Sequence, residues 1–259
     1  MVASGFEVVV RGTLFDTCKA TGSGAEGGAV FLAVMSGCFA RTCAIGCYAQ
    51  YRGNSFKCNY DLNGTSWVNL SSIVACPRES GYAWSLNCQY GCAMATSLNL
   101  SQCCLDCAVL SLYDVENVDV YRFTTVANNT AEVPICFQKL DSSQKNTGAE
   151  FINLVRNRGS GKQYNGFVFT YMCHAMLRDC LISQNTFNRI QHSQPSDTLT
   201  FQDCSFCKNT FTSDSAGRED PTTIGARQFL CAFRTGRFTV SDELGVLHSL
   251  LALLFLVGT

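Results

Sequence analysis

The sequence predicts an all-β chain, a right-handed parallel β-helix (solenoid) followed by a short C-terminal apolar helix. Three observations carry this reading. Residues 177–187 return as residues 201–211, with Asp179/Asp203, Cys180/Cys204, Asn185/Asn209, Thr186/Thr210 and Phe187/Phe211 in register and a period of 24. Within each copy, apolar residues fall at the spacing of short strands: Leu177, then Cys180 and Ile182, and Phe201, then Cys204 and Phe206. Runs of Ala, Leu, Glu and Lys that would favour helix are missing outside the last few residues.

A period in the twenties also occurs in leucine-rich repeats, but the L-x-x-L-x-L core of that class is absent. A single coil of 24 residues cannot close a hydrophobic core. Coils stacked at about 4.8 Å pair their backbones and share one apolar column. Earlier coils are more degenerate. Leu14-Phe15-Asp16-Thr17-Cys18 and Cys38-Phe39-Ala40-Arg41-Thr42-Cys43 set an aromatic ahead of a cysteine, with Cys18 and Cys43 25 apart. Glycine-led strands at Gly27-Gly28-Ala29-Val30-Phe31, Gly91-Cys92-Ala93-Met94 and Gly166-Phe167-Val168-Phe169 are expected to mark another side of the coil. Val118 to Phe123 alternates as a strand and Phe151 to Val155 is read as the next one. Polar gaps at 141–147, 159–164, 192–197 and 212–221 read as loops. Asn157, Asn185 and Asn209 are candidates for an amide ladder, each side chain bonding the next. The division expected is a repeat domain over 1–240 and an apolar tail over 241–259.

Composition narrows the function. Charged residues are 15% of the chain and the net charge is -1, which gives no field to attract nucleic acid. Seventeen cysteines point to an oxidising or surface compartment, and the odd count leaves at least one thiol without a partner in the chain. Four sequons, at Asn63, Asn69, Asn99 and Asn128, are glycan acceptors if the chain enters a eukaryotic secretory pathway; otherwise they are chance in an Asn/Ser/Thr-rich sequence. Residues 1–10 lack the basic start and apolar run of a signal peptide. Residues 244–257 are almost wholly apolar, interrupted by His248, and fall short of the roughly 20 residues that span hydrocarbon. A membrane span cut short leads the readings of this tail, followed by a buried capping helix and then a lipid-anchor signal.

The motifs Gly27-Gly28-Ala29-Val30 and Phe206-Cys207-Lys208-Asn209, with weaker forms ending at Asn185 and Asn129, have the pattern G-G-A-aliphatic and F-x-x-N. In these residues the chain resembles the polymorphic outer membrane protein repeats of chlamydiae and the related β-helix surface proteins of trichomonad protists. Cys18 and Cys43 stand where the cysteine-rich protist versions place cysteine, and the cysteines and sequons favour the eukaryotic branch. The likeness covers residues 5–215; a strand-rich C-terminal barrel and a complete membrane span are both missing from the pattern. It implies a non-catalytic cell-surface or extracellular protein for adhesion or display, anchored by its tail in the full-length form. A host-cell or extracellular-matrix surface, or a glycan, is the implied partner, and no cofactor or nucleic acid.

Chemical sites are few. Cys104-x-x-Cys107 and Cys204-x-x-Cys207 lie about 100 residues apart, whereas a zinc ribbon needs its two pairs roughly 15–20 apart. Cys180 and Cys204 share a coil position, where either a disulfide or a stacked pair of thiols fits. Asp179 and Asp203, at a separation of roughly 5 Å, would match a retaining glycosidase pair. Parallel β-helices host polysaccharide lyases and hydrolases, which makes a secreted enzyme the sharp alternative. Against it, Arg178 faces only Gln202 and no lysine or histidine is placed to tune a carboxyl. His174, His192 and His248 are scattered, Gly159-Ser160-Gly161-Lys162 is too short for a phosphate loop, and Asp114, Glu116 and Asp119 lack the spacing of a calcium loop. The reading is therefore catalytic residues none and metal ligands none, with a truncated, non-functional copy of a surface protein as a third alternative.

Overall fold

The structure is a computed structural model that describes residues 2–212, apart from 23, 51–55, 78–83, 90–91, 114–120, 139–146, 162–165 and 194–196. The expected tail, its helix and the C-terminal domain boundary lie outside the described residues, as do Asp114, Glu116, Asp119, His248 and the first half of the strand expected over 118–123.

All of the described pairing between strands is parallel, coil onto coil, and forms a β-solenoid. The most regular face is an eight-stranded sheet with one short strand per coil: Leu14–Asp16, Cys43–Ile45, Ser72–Val74, Asn99–Ser101, Thr125–Ala127, Asn153–Val155, Leu181–Ser183 and Ser205–Cys207. Each is three residues long, and its central residue points inward: Ala44, Ile73, Leu100, Val126, Leu154 and Ile182 are buried. Smaller ladders follow, Lys19–Ala20 with Tyr48–Ala49 and then Thr130–Ala131, Arg158–Gly159, Thr186–Phe187 and Thr210–Phe211.

A thirteen-stranded sheet supplies the remaining wall, and it forks. In the first coils it is built of long strands, Val2–Arg11, Val30–Ala40 and Phe56–Asn69. The first part of Phe56–Asn69 pairs with Trp84–Gln89 and its last part with Cys92–Thr96. One limb then continues through Ala108–Tyr113, Val133–Gln138, Gly166–Tyr171 and Arg189–Ser193. The other runs through Tyr121–Arg122, Thr147–Glu150, His174–Arg178 and Thr198–Gln202. The register already slips between Val34 and Ser36, where the fork begins.

The fork explains why the period drifts. The short strands begin 29 residues apart at Leu14 and Cys43 but 24 apart at Leu181 and Ser205, because extra residues enter between the two limbs and leave the corners untouched. It also corrects two expected alignments. Leu14 pairs with Cys43 and Lys19 with Tyr48, so Cys18 stands opposite Cys47 and not in register with Cys43. Likewise Val30 and Val168 belong to the first limb whereas Ala93 belongs to the second, so the glycine-led segments do not mark one side of the coil. Gly27 does sit where only glycine fits: its φ is +63° and a Cβ would lie 2.3 Å from the Val30 carbonyl oxygen.

Two corners in every coil are turned by a left-handed residue. The first column is Gly12, Arg41, Leu70, Ser97, Phe123, Phe151, Asp179 and Asp203; the second is Thr17, Gly46, Ala75, Gln102, Asn128, Arg156, Gln184 and Lys208, with every φ between 49° and 59°. Phe151, expected inside a strand, is a corner residue, and its ring stacks on that of Phe123 at 5.2 Å. Non-glycine residues resist this conformation. Here it is held because corner N–H groups donate to a carbonyl of the next coil, as in Arg41 to Asn69, Asp179 to Gln202, Arg156 to Ser183 and Gln184 to Cys207.

Just inside the second corner runs the amide ladder. Asn129, Asn157, Asn185 and Asn209 stack, three of them being the expected members and Asn129 an addition. The Asn157 Nδ2 donates to the Val126 carbonyl oxygen at 2.8 Å and to Asn185 Oδ1 at 3.1 Å, while its own Oδ1 accepts from the Asn129 N–H at 3.2 Å and Asn129 Nδ2 at 3.0 Å. Both donors and both acceptor sites of a fully buried amide are thereby used. The interior between the walls is aliphatic and aromatic, with Phe39 stacked on Phe56 at 4.8 Å and Phe167 edge-on to Phe187.

Asn157→Ala removes those ties and strands the Val126 carbonyl and the Asn129 amide. Urea denaturation is expected to show a loss of roughly 2–3 kcal/mol, against less than about 0.5 kcal/mol for the exposed Thr186→Ala on the same coil.

Candidate functional site

The regular coil geometry sorts every expected residue into lining, corner or outer surface. Cys180 and Cys204 are buried, two residues ahead of the inward residues Ile182 and Phe206. Each thiol donates to a carbonyl, Cys180 to Arg178 at 3.2 Å and Cys204 to Leu177 at 3.2 Å, and both are free thiols. Phe206 is half-buried against the core, with its ring edge-on to Phe201 at 5.1 Å. Asp179 and Asp203 occupy the first corner column, half-buried and one coil apart.

The C-x-x-C pairs do not converge. Cys204 is buried whereas Cys207 is exposed at the far end of its strand. Cys107 belongs to a small satellite cluster with Ala108, Val133 and Cys136, packed by Trp84 and Phe169. Burial pushes the Cys107 thiol well above its ordinary value. No group of three or more His, Cys, Asp or Glu suited to a metal occurs among the described residues.

The sequons sit on different elements. Asn69 ends a long strand and its carbonyl accepts from the Arg41 N–H. Asn99 opens a short strand with its Oδ1 buried, and Asn128 is a half-buried left-handed corner. Asn63 lies within the strand Phe56–Asn69.

Two outer-surface arrangements were not anticipated. In the second limb Thr96, Arg122, Glu150, Arg178 and Gln202 share one register position. The buried Glu150 carboxylate bridges Arg122, at 3.2 Å, and Arg178, so the arginine expected to face only Gln202 also meets a carboxylate from the coil before. In the amino-terminal coils Val9, Cys38, Trp67 and Met94 form the neighbouring column. Trp67 is 53% exposed and Val9 46%, on a flat strand face whose adjacent register positions carry Thr65, Asn69, Thr96 and Arg11. Periodicity gives inward and outward residues, but which outward residues become neighbours depends on the coil lengths, which the fork makes unequal.

Burial also controls the remaining thiols. Cys136 and Cys173 are pushed up to about 12 by desolvation; Gln138 Nε2 donates to Cys136 at 3.0 Å, and the Asp197 carboxylate adds repulsion at Cys173. The chain matches no protein-family model, no curated protein and no solved structure.

Both thiols stay neutral in the folded chain, so the stability they confer is intact below the ordinary thiol value of 9.0 and is lost as pH rises toward about 12, where only the unfolded chain ionises freely. Denaturation midpoints are expected to hold up to about pH 9 and fall above it, and Cys136→Ala should make that alkaline fall shallower.

Proposed function

We propose that this chain is a non-catalytic cell-surface repeat protein, a right-handed parallel β-helix of the polymorphic outer membrane protein type that serves adhesion or surface display. What supports the reading most is the exposed Trp67 column. A flat, half-apolar strand face with an open indole, flanked by hydroxyl, amide and guanidinium groups, is a stacking platform for a sugar ring or a partner's side chains. The interior is given over to packing and the Asn ladder, so variation on outward positions leaves the core intact. In this reading the chain lies at the cell surface or outside it, residues 241–259 contribute to a membrane anchor, and Asn63, Asn69 and Asn128 carry glycans more readily than Asn99, whose amide oxygen is buried. The partner is a host-cell or matrix surface bearing glycans.

A second reading keeps one observation in its favour: Asp179 and Asp203 occupy the same corner of adjacent coils, as a pair of cooperating carboxylates would. Polysaccharide cleavage by the purified chain that disappears in Asp179→Asn with Asp203→Asn would establish that reading and displace the first.

Binding of the purified chain to a glycan array and to intact cells is expected, with Trp67→Ala lowering apparent affinity by about tenfold or more and leaving thermal stability unchanged. Equal binding by the wild type and the variant would remove the platform. Surface biotinylation followed by glycosidase treatment should label the protein and lower its apparent mass; an unlabelled, unshifted protein overturns the surface assignment.

A further inference from the structure

We infer that six cysteines form three disulfides running along the solenoid axis, Cys18–Cys47, Cys76–Cys103 and Cys180–Cys204, each joining one coil to the next. The first four occupy one column. Counting three residues on from the inward residue of each short strand gives Cys18, Cys47, Cys76 and Cys103 in the first four coils and Asn129, Asn157, Asn185 and Asn209 in the last four. The atoms repeat the substitution: Cys47 Sγ reaches the Phe15 carbonyl and Cys103 Sγ the Ile73 carbonyl, as Asn129 Nδ2 reaches Leu100.

The asparagines tie coil to coil through an amide with two donors and an acceptor. A thiol has one weak donor, and the contacts it makes here are long, 3.4 Å for Cys47 and 3.9 Å for Cys103. A covalent bond restores the missing tie. Backbone pairing brings the residues to one coil spacing, since the Tyr48 N–H donates to the Cys18 carbonyl, Cys104 to Cys76 and Ser205 to Cys180. That spacing, about 4.8 Å, lies inside the Cα window of about 4.4–6.8 Å for disulfides.

Pairing within the column of four is set by thiol contacts. Cys47 has a side-chain hydrogen bond with Cys18, Cys103 with Cys76, and Cys180 with Cys204. The column ends where Cys103 meets Asn129, whose Oδ1 accepts the Cys103 N–H at 2.9 Å, so four cysteines divide into two pairs without remainder. Cys180 and Cys204 stand at the other corner, in the last coils, where the core is capped only by half-buried Phe206 and Phe211.

The oxidant is a small or protein disulfide such as oxidised glutathione. One cysteine thiolate attacks it, releasing one glutathione thiolate, and the mixed disulfide is then attacked by the partner cysteine, which expels the second. Two protein thiols become one disulfide and one oxidised glutathione becomes two reduced molecules, with both protons passing to the released thiolates. Hydrogen bonds from Cys76 and Cys180 hold Cys103 and Cys204 below the ordinary thiol value, which makes these two the attacking members.

The test is to refold the fully reduced chain in a glutathione redox buffer, alkylate it in denaturant without reduction, and map cross-linked peptides by fragmentation mass spectrometry. The expected result is linkage of Cys18 to Cys47, Cys76 to Cys103 and Cys180 to Cys204, with complete loss of alkylation at those six. In a Cys47→Ala chain, Cys18 becomes alkylated while Cys76–Cys103 persists. Alkylation of all six in the wild type, or a Cys47–Cys76 linkage, overturns the proposal. The outcome does not depend on whether the chain binds glycans.

Discussion

The fold depends on one tie repeated from coil to coil: a side chain just inside the second corner that reaches back to the carbonyl of the preceding coil. Parallel strands of three residues hold few hydrogen bonds each, and nothing in such a strand fixes its register by itself. The buried amides of Asn129, Asn157, Asn185 and Asn209 fix it, because each bonds the main chain of one neighbour and the side chain of the other. An unpaired amide in that interior would be costly, so the ladder works as a unit, and slipping one coil would strand every member next to it.

With the corners pinned, the wall between the two limbs is free to vary. The eight short strands keep their length while the chain between the limbs grows and shrinks, and this is where most undescribed residues fall. Insertions there project from a fixed frame. A scaffold of this type separates packing from presentation: inward columns remain Phe, Leu, Ile, Val and Cys, while outward columns hold Trp67 and Val9 at one end and the Arg122–Glu150–Arg178 bridge at the other.

Cysteine has two roles in that frame. Cys136 and Cys173 behave as small apolar residues whose burial suppresses ionisation. Cys18, Cys47, Cys76 and Cys103 replace asparagine in the ladder, where polarity and not volume is what the position requires. The two halves of the chain thus solve one stacking problem with different side-chain chemistry.

The sequence alone determined the all-β solenoid and the ladder positions of Asn157, Asn185 and Asn209, because the last coils lack insertions and their 24-residue copy is plain. It also separated inward from outward residues there, since alternation is a local property of a strand. Only the tertiary structure decided that Cys18 faces Cys47, that Phe151 turns a corner, that Asn129 continues the ladder and that Arg122, Glu150 and Arg178 meet. These depend on how many residues each coil spends between its limbs. That number leaves no periodic trace, because the added residues pair with nothing that repeats.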